Sequence, residues 1–355
     1  MSSKVQPSEA TSLAPTAKVK STVGPDTKFL VNGKGKTAPL LPLGRPTRLL
    51  TSVCRECHTN VAEKKQSKPY KEMTATKFQS GPNVKLKLRA ISSEIIIRGL
   101  VFICHGFGEH LQWYEDLALR LTATGLLAFG HDHVGHGRSE GVRGYIETVD
   151  DYVDDVLHHC DDMRLQYPGL PCFIVGHSMG GMIAIKCGMA RPEYFAGVVL
   201  MGPLIKANSA EATAPKIFLA RMVARILPYI AVAKLKLDHV TRDEEMKTRM
   251  KKDPLRYQGG IRARWAIAGI DTLLYFEHHM PEVEWPFLIL HGEKDLLCSP
   301  EGSHMLHNQA KSTDKTIKMF PSAYHHLYLE LPEVRHEALQ DTVDWITARV
   351  SPSKK

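Results

Sequence analysis

A five-residue motif, Gly-His-Ser-Met-Gly at residues 176–180, constrains the fold of this chain more than any other feature. The pattern Gly-x-Ser-x-Gly between a strand and a helix forms a strained turn that exposes the serine oxygen. An apolar run at 172–175 precedes the motif, and small and apolar residues at helical spacing follow it over 181–190. The sequence therefore predicts a strand, a sharp turn carrying Ser178 and a helix.

The segments on both sides of this motif alternate between strand and helix patterns. The predicted elements are strands 84–90, 95–97 and 100–104, helix 112–124, strand 126–130, helix 148–166, strand 171–176, helix 179–190, strand 197–201, strand 286–291, helix 300–310, strand 316–320 and helix 333–349. Apolar strands that alternate with helices are typical of a mainly parallel sheet covered by helices on both faces. We therefore expect an α/β fold.

One interruption breaks this alternation. About 80 residues, 204–283, separate two of the predicted strands, and their pattern indicates helices throughout. Hydrolases with the strand–serine–helix motif usually carry a cap at this point, and the insertion resembles such a cap, which would exclude water and shape the substrate pocket. The predicted organisation is an extension at 1–70 and a main domain at 71–355 that includes the cap.

The charge of the chain is concentrated in the extension. The net charge is +8, and residues 1–70 contain 12 Lys and Arg against 4 Asp and Glu, while the remainder is balanced. The extension is rich in Ser, Thr, Pro and Lys, which favours disorder. We therefore expect no nucleic-acid binding, and a basic segment that could contact an anionic membrane or an import receptor.

The cysteine content and the apolar runs indicate the compartment. Seven cysteines without an obvious pairing pattern fit a reducing environment. No run of 18 apolar residues and no secretory leader pattern is present. The expected location is therefore cytoplasmic, and the protein is not expected to be secreted.

One motif in the extension could suggest a cofactor. The run Cys-Arg-Glu-Cys-His at 54–58 matches the attachment pattern of c-type haem. Its flanks suggest neither a helical haem fold nor an exported protein, and no second Cys or His pair lies at zinc-finger spacing. We expect no cofactor and no metal.

A serine nucleophile needs a histidine base and a carboxylate that orients it. Where the serine lies on such a strand-to-helix turn, the acid follows the serine along the chain and the histidine comes last. Asp295 lies in the loop after strand 286–291, and Glu293 is the rival acid nearer the strand. The base is His325 or His326, which follow the last predicted strand, and local spacing does not separate the two.

The reaction also needs two backbone N–H groups that stabilise a negatively charged oxygen. Met179 follows the nucleophile at the start of its helix, where free amides and the helix dipole favour negative charge. The second donor is expected in the turn His-Gly-Phe-Gly at 105–108, and Phe107 is the candidate.

Three motifs closely resemble the monoacylglycerol lipases of the α/β-hydrolase superfamily: residues 176–181, 129–141 and 105–110. The resemblance covers roughly 80–349. It implies an α/β-hydrolase fold with an inserted helical cap, and an enzyme that cleaves monoacylglycerol to fatty acid and glycerol through an acyl-enzyme. Carried over by position, it implies Ser178 as nucleophile, Asp295 as acid, His325 as base, Phe107 and Met179 as oxyanion donors, and Gly106, His177 and Trp113 as substrate contacts.

The resemblance also implies a cap that opens toward membranes. Within 216–230, one broad apolar arc lies opposite Arg221 and Arg225. The arc contains Phe218, Leu219, Met222, Val223, Ile226 and Leu227. Such a helix can lie in a lipid interface, and the alternative is an ordinary helix packed on the core.

The sequence departs from the family pattern mainly at the polar end of the pocket. Trp113 stands where animal members commonly carry Arg, and Met250 where Tyr is usual. Lysophospholipase or broad carboxylesterase activity is therefore the alternative, followed by a non-catalytic receptor on the same fold. Acyl length, positional preference and oligomeric state stay open, a homodimer being possible.

Overall fold

The computed structural model describes residues 29–31, 37–39, 97–206 and 214–350, and only the backbone of 29–31, 37–39, 214–216 and 219. In the extension, β1 (Phe29–Val31) pairs antiparallel with β2 (Thr37–Pro39). The haem-like run at 54–58 and the predicted strand 84–90 lie outside the described residues, as do the first two residues of strand 95–97. The disorder predicted for 1–70 stays a prediction.

The predicted alternation of strands and helices is present from residue 99 onward. The elements are β3 (Gly99–Cys104), α1 (Glu115–Ala123), β4 (Leu126–Gly130), α2 (Val149–Gln166), β5 (Cys172–His177), α3 (Met179–Ala190), β6 (Gly197–Met201), α4 (Ala214–Ile226), β7 (Ala231–Ala233), α5 (Glu244–Lys252), β8 (Ile261–Arg262), α6 (Ala263–His279), β9 (Phe287–Gly292), α7 (Pro300–Gln309), β10 (Lys315–Phe320) and α8 (Pro332–Ala348). Short 3-10 helices add Leu111–Tyr114, Leu237–His239, Met280–Glu282 and Leu327–Leu329.

Six of these strands form one parallel sheet in the order β10-β9-β6-β5-β3-β4. Because side chains alternate along a strand, β3 sends Phe102 to one face and Val101 to the other. Helices α2, α3 and α7 cover the first face, and α1 and α8 cover the second. This is the predicted α/β arrangement with helices on both sides.

The cap lies between β6 and β9 and is not helical throughout, so that part of the prediction is wrong. Strand β7 pairs antiparallel with β8 between the cap helices. Pro228 lies just beyond α4 and lacks the N–H group that would continue a helix. At Gly260 a Cβ atom would lie 2.6 Å from the carbonyl oxygen of Ala233, so glycine permits the close approach of the two strands.

Among the described residues, no helix is both long and apolar enough to cross a bilayer.

Candidate active site

Ser178 lies at the turn between β5 and α3, and its backbone has φ +55° and ψ −116°. Such a conformation costs on the order of 1–3 kcal/mol for a residue with a Cβ, and surrounding packing must hold it. Glycines allow that packing. A Cβ on Gly180 would lie 2.0 Å from the carbonyl oxygen of Cys104, and one on Gly176 would lie 2.4 Å from that of Gly180.

The predicted acid and base lie side by side. Asp295 follows β9 and His325 follows β10, so both lie at the carboxyl edge of the sheet, where Ser178 follows β5. The distance from His325 Nδ1 to Asp295 Oδ2 is 2.6 Å. Nδ1 therefore donates to the carboxylate, which leaves Nε2 as the acceptor.

Further hydrogen bonds fix the Asp295 carboxylate. Its Oδ1 accepts from the backbone N–H groups of Leu297 at 2.8 Å and Cys298 at 2.9 Å. His291 Nε2 lies 3.0 Å from Oδ2 and its Nδ1 lies 2.7 Å from Ser303 Oγ. Cys298 Sγ in turn lies 3.8 Å from Ser178 Oγ, which joins the serine to this group.

Electrostatics separate the two candidate histidines. Burial favours a lower pKa for His325, but the charge and hydrogen bond of Asp295 raise that pKa above its usual value. Burial lowers the pKa of His326 well below its usual value, and neither of its ring nitrogens has a hydrogen-bond partner among the described residues. Asp295 is buried, whereas the rival acid Glu293 is exposed.

The pKa of Asp295 shifts in the direction a paired carboxylate requires. Burial alone would raise it, but the charge of His325 and hydrogen bonds from His291 and His325 lower it well below the usual range. The Asp295 carboxylate is therefore ionised at neutral pH.

The two predicted oxyanion donors are free to bind a ligand. Within the described part of the chain, neither the N–H of Phe107 nor that of Met179 donates a hydrogen bond. Phe107 follows β3 and Met179 begins α3, so both amides lie at the same edge of the sheet as Ser178. The helix dipole adds partial positive charge at Met179.

Glu109 organises the loop after β3, a role the sequence analysis missed. Its Oε2 accepts from the Gly106 N–H at 2.9 Å and from Tyr114 OH at 2.6 Å, and lies 3.2 Å from His177 Nδ1. Burial alone would raise the pKa of Glu109, but His177, His326 and the hydrogen bonds lower it well below its usual range. The position of Glu109 inside the 105–110 motif is the sequence feature that could have drawn attention to this residue.

Gly106 and His177, predicted as substrate contacts, belong to this network. The Gly106 N–H is engaged by Glu109, and a Cβ on Gly106 would lie 2.9 Å from His177 Nδ1. His177 is buried with its ring centroid 4.0 Å from that of His326. Glu109, His177 and His326 have ligand atoms within 4.8 Å of one another and could hold a metal ion, although hydrogen bonding already explains the Glu109 contacts.

Comparison with known proteins identifies the family. Residues 96–332 match the family model described as serine aminopeptidase, S33. The chain is 40% identical over 254 residues to monoglyceride lipase of Homo sapiens, an alignment that covers 72% of this chain and 84% of that protein. The chain belongs to the monoglyceride lipase family of α/β-hydrolases.

Two further comparisons support this membership. Monoacylglycerol lipase of Mycolicibacterium smegmatis is 33% identical, with 71% of this chain and 89% of that protein covered. The crystal structure of Paleococcus ferrophilus monoacylglycerol lipase superimposes with a TM-score of 0.65 at 29% identity, covering 71% of this chain and 95% of that one. The predicted family and the predicted α/β-hydrolase fold are confirmed.

Trp113, at a position where the family resemblance predicts a substrate contact, packs against the cap. It is half-buried in the 3-10 helix Leu111–Tyr114 and contacts a small cluster that includes Met246 and Met250 of α5. The guanidinium of Arg249 lies 5.5 Å from the centre of its ring. Trp113 therefore joins the cap to the loop that follows β3.

Some apolar residues of the cap helix α4 are exposed, and others pack against α6. Phe218 and Ile226 are 67% and 71% exposed, and Met222 is also exposed. Val223 does not share this exposure, because it packs with Ala220 against α6. The side chain of Leu219 lies outside the described residues.

Proposed function

We propose that this protein is a carboxylic ester hydrolase that cleaves monoacylglycerols to free fatty acid and glycerol. The observation that carries the proposal is the position of Ser178 on a strained turn at the same edge of the parallel sheet as the hydrogen-bonded His325–Asp295 pair. The 40% identity to a monoglyceride lipase supports the choice of substrate.

The first half of the reaction forms an acyl-enzyme. His325 Nε2 accepts the hydroxyl proton as Ser178 Oγ attacks the ester carbonyl carbon, and Asp295 stabilises the resulting imidazolium. The carbonyl oxygen becomes negatively charged and accepts hydrogen bonds from the amides of Phe107 and Met179. The bond to the glycerol oxygen then breaks, and His325 gives that oxygen its proton.

The second half releases the fatty acid. A water molecule gives a proton to His325 and attacks the acyl carbon, and the bond to Ser178 Oγ breaks as that oxygen recovers a proton. The carboxylic acid leaves and ionises at neutral pH. No cofactor or metal enters either half.

The cap is proposed to lie on a membrane during this cycle. The apolar residues Phe218, Met222 and Ile226 are followed by further exposed ones, Leu227, Tyr229, Ile230 and Val232. An exposed apolar stretch with Arg225 beside it suits the interface of an anionic bilayer. Five described cysteines are free and buried, which supports a reducing, cytoplasmic location.

A substrate panel tests the proposal. The purified full chain is assayed with monooleoylglycerol, oleoyl lysophosphatidylcholine, p-nitrophenyl butyrate and leucine p-nitroanilide. We expect kcat/KM for monooleoylglycerol to exceed each of the others at least tenfold. Preference for the choline lipid would favour a lysophospholipase, equal rates a broad esterase, and cleavage of the anilide the aminopeptidase activity that the family model's description names.

A further inference from the structure

A cavity of about 230 Å³ lies beside the loop that carries the Phe107 amide. Its wall includes two aromatic residues, Phe107 and Tyr257, and three cations, Lys234, Lys251 and Arg256. No Asp or Glu of the described chain lines it. The volume is that of several water molecules, each of which occupies about 30 Å³ in the liquid, so it can hold a small solvated anion.

The three cations lack a direct hydrogen-bond or ion-pair partner within the described parts of the chain. Among the described residues, the side chains of Lys234, Lys251 and Arg256 make no hydrogen bond and no ion pair. Lys234 and Lys251 are exposed, but Arg256 is half-buried, and burial lowers the pKa of its guanidinium. A partly buried cation without a partner is unfavourable, and a bound anion would remove that cost.

The two carboxylates whose charges act on Arg256 are already engaged in other hydrogen bonds. Asp253 Oδ2 lies 2.7 Å from His110 Nε2, and its Oδ1 accepts from the Leu255 N–H at 2.9 Å. Glu109 accepts the three hydrogen bonds described above. Neither carboxylate therefore pairs with Arg256, although both contribute a favourable field at it.

The cavity is joined directly to the catalytic loop. The N–H of Tyr257 donates to the carbonyl oxygen of Gly108 at 2.9 Å, and Phe107 packs edge-on against the Tyr257 ring at 5.8 Å. A ligand in the cavity thus touches the side chain of Phe107, the residue whose amide is the proposed oxyanion donor.

We propose that this cavity is an anion subsite that takes a phosphate on the glycerol head group, so that monoacylglycerol phosphates are a second substrate class of this enzyme. The inference rests on the proposed function, because the reaction at Ser178 is unchanged. The acyl ester breaks, glycerol phosphate leaves with the proton from His325, and the phosphate ester stays intact.

Phosphate fits this subsite better than the carboxylate of the fatty acid product. A phosphate monoester carries about −1.5 to −2 charges at neutral pH, which matches three cations, whereas a carboxylate carries one. Arginine also binds phosphate through two parallel hydrogen bonds. The carboxylate of the fatty acid product is also an anion, so the experiment must distinguish binding of this product from binding of a phosphate.

The test compares two lipids with the same acyl chain. The kcat/KM of the full chain is measured for oleoyl lysophosphatidate and for monooleoylglycerol, with wild type, Arg256→Gln and the double variant Lys234→Gln with Lys251→Gln. We expect wild type to cleave both lipids, and the ratio of phosphate to neutral substrate to fall at least tenfold in each variant. The ratio of the wild type should also fall as salt rises, since the lysines are exposed.

Matched controls come from the same elements. Lys236→Gln and Lys252→Gln remove exposed charges beside Lys234 and Lys251 that do not line the cavity, and they should leave the ratio within twofold of wild type. Thermal unfolding of every variant shows that the fold is kept. If Arg256→Gln fails to fold, the double variant of Lys234 and Lys251 still tests the inference.

Failure of this inference differs from failure of the proposed function. Cleavage of monooleoylglycerol without cleavage of lysophosphatidate, or an unchanged ratio in the variants, overturns the phosphate subsite alone. Inhibition of wild type and variants by the product oleate is measured as well. If the variants weaken oleate inhibition and leave the ratio unchanged, the cavity binds the product carboxylate and the inference is wrong.

Discussion

Two neighbouring residues, His325 and His326, have opposite environments, and this difference predicts opposite mutant phenotypes. His325 bonds to Asp295, whereas His326 is fully buried against His177 and Tyr114. We expect His325→Ala to lower kcat by roughly 10⁵–10⁶. His326→Ala should keep kcat within tenfold but lower the free energy of unfolding by about 2 kcal/mol or more, since it leaves a cavity.

Both variants are measured by ester hydrolysis and by chemical denaturation. A severe loss of kcat for His326→Ala with near-normal activity of His325→Ala would show that the other histidine is the base.

The raised pKa of His325 predicts the acidic limb of the pH profile. The imidazole must be neutral to accept a proton, so kcat/KM should rise with pH through a pKa above the usual value of about 6.5. Asp295→Asn removes the charge that raises this pKa. The limb should therefore move to lower pH, while kcat falls by about 10⁴ because the tautomer is no longer fixed.

The measurement is kcat/KM against pH for wild type and for the residual activity of Asp295→Asn. A limb that stays at the same pH in the variant would mean that the group titrating in the wild type is not His325.

Among the individual residues, the sequence predicted those candidates that directly follow a strand. Ser178, Asp295 and the histidine pair each follow a strand pattern, and parallel strands bring those ends together. Glu109 was missed because its role depends on Gly106, Tyr114 and His177 converging in space. No spacing in the chain records that convergence.

The tight contact at the turn between β5 and α3 predicts that a glycine-to-alanine substitution destabilises the fold in α3 but not in α6. Gly180→Ala would place a Cβ 2.0 Å from a backbone oxygen of β3, whereas Gly269→Ala in α6 meets only the Trp265 ring at 3.7 Å. We expect Gly180→Ala to destabilise the fold by at least about 1–3 kcal/mol. Gly269→Ala should stabilise it by about 0.5–1 kcal/mol, as alanine does within a helix.

The free energy of unfolding from urea titrations checks this pair. Equal effects of the two substitutions would contradict the close contact between α3 and β3.

The predicted elements of the sheet agree with the structure to within a residue or so, because buried strands and amphipathic helices have strong periodic patterns. Two local differences have physical causes. The predicted helix 112–124 begins as the 3-10 helix Leu111–Tyr114 before α1, where Asp132 Oδ1 accepts from the Leu111 N–H at 2.8 Å. Strands β7 and β8 have three and two residues, which is too short for the alternating pattern of a strand to be recognised in the sequence.

At the scale of the whole molecule, the exposed apolar residues of the cap predict membrane binding. Burying a Phe or Ile side chain contributes about 1.5–3 kcal/mol, and this contribution is insensitive to salt. A basic residue of the extension adds about 1 kcal/mol near an anionic surface, and salt screens it. Ile226→Glu, and more strongly Phe218→Glu with Ile226→Glu, should release the protein from liposomes in high salt.

Leu165→Glu is the matched control, since Leu165 is 81% exposed on α2, outside the cap. Sedimentation with anionic liposomes at low and high salt measures the effect, and deletion of 1–70 tests the extension. If that deletion removes all binding while the cap variants sediment normally, the membrane contact belongs to the extension.

The division of α4 between a packed and an exposed side could not be predicted from its sequence. A single apolar arc fits both a core helix and an interfacial helix. The position of α6 decides between the two for each residue, by covering Ala220 and Val223 and leaving Phe218 and Ile226 exposed.

The most direct test of the proposed mechanism is the covalent intermediate on Ser178. The full chain is mixed with an excess of a p-nitrophenyl ester, quenched in acid and analysed by peptide mass spectrometry. We expect one acyl group per chain on the peptide that contains Ser178, and no label on a folded Ser178→Ala variant whose kcat is lower by on the order of 10⁶. An acyl group on another residue, or a Ser178→Ala variant with a tenth of the wild-type rate, would contradict the account.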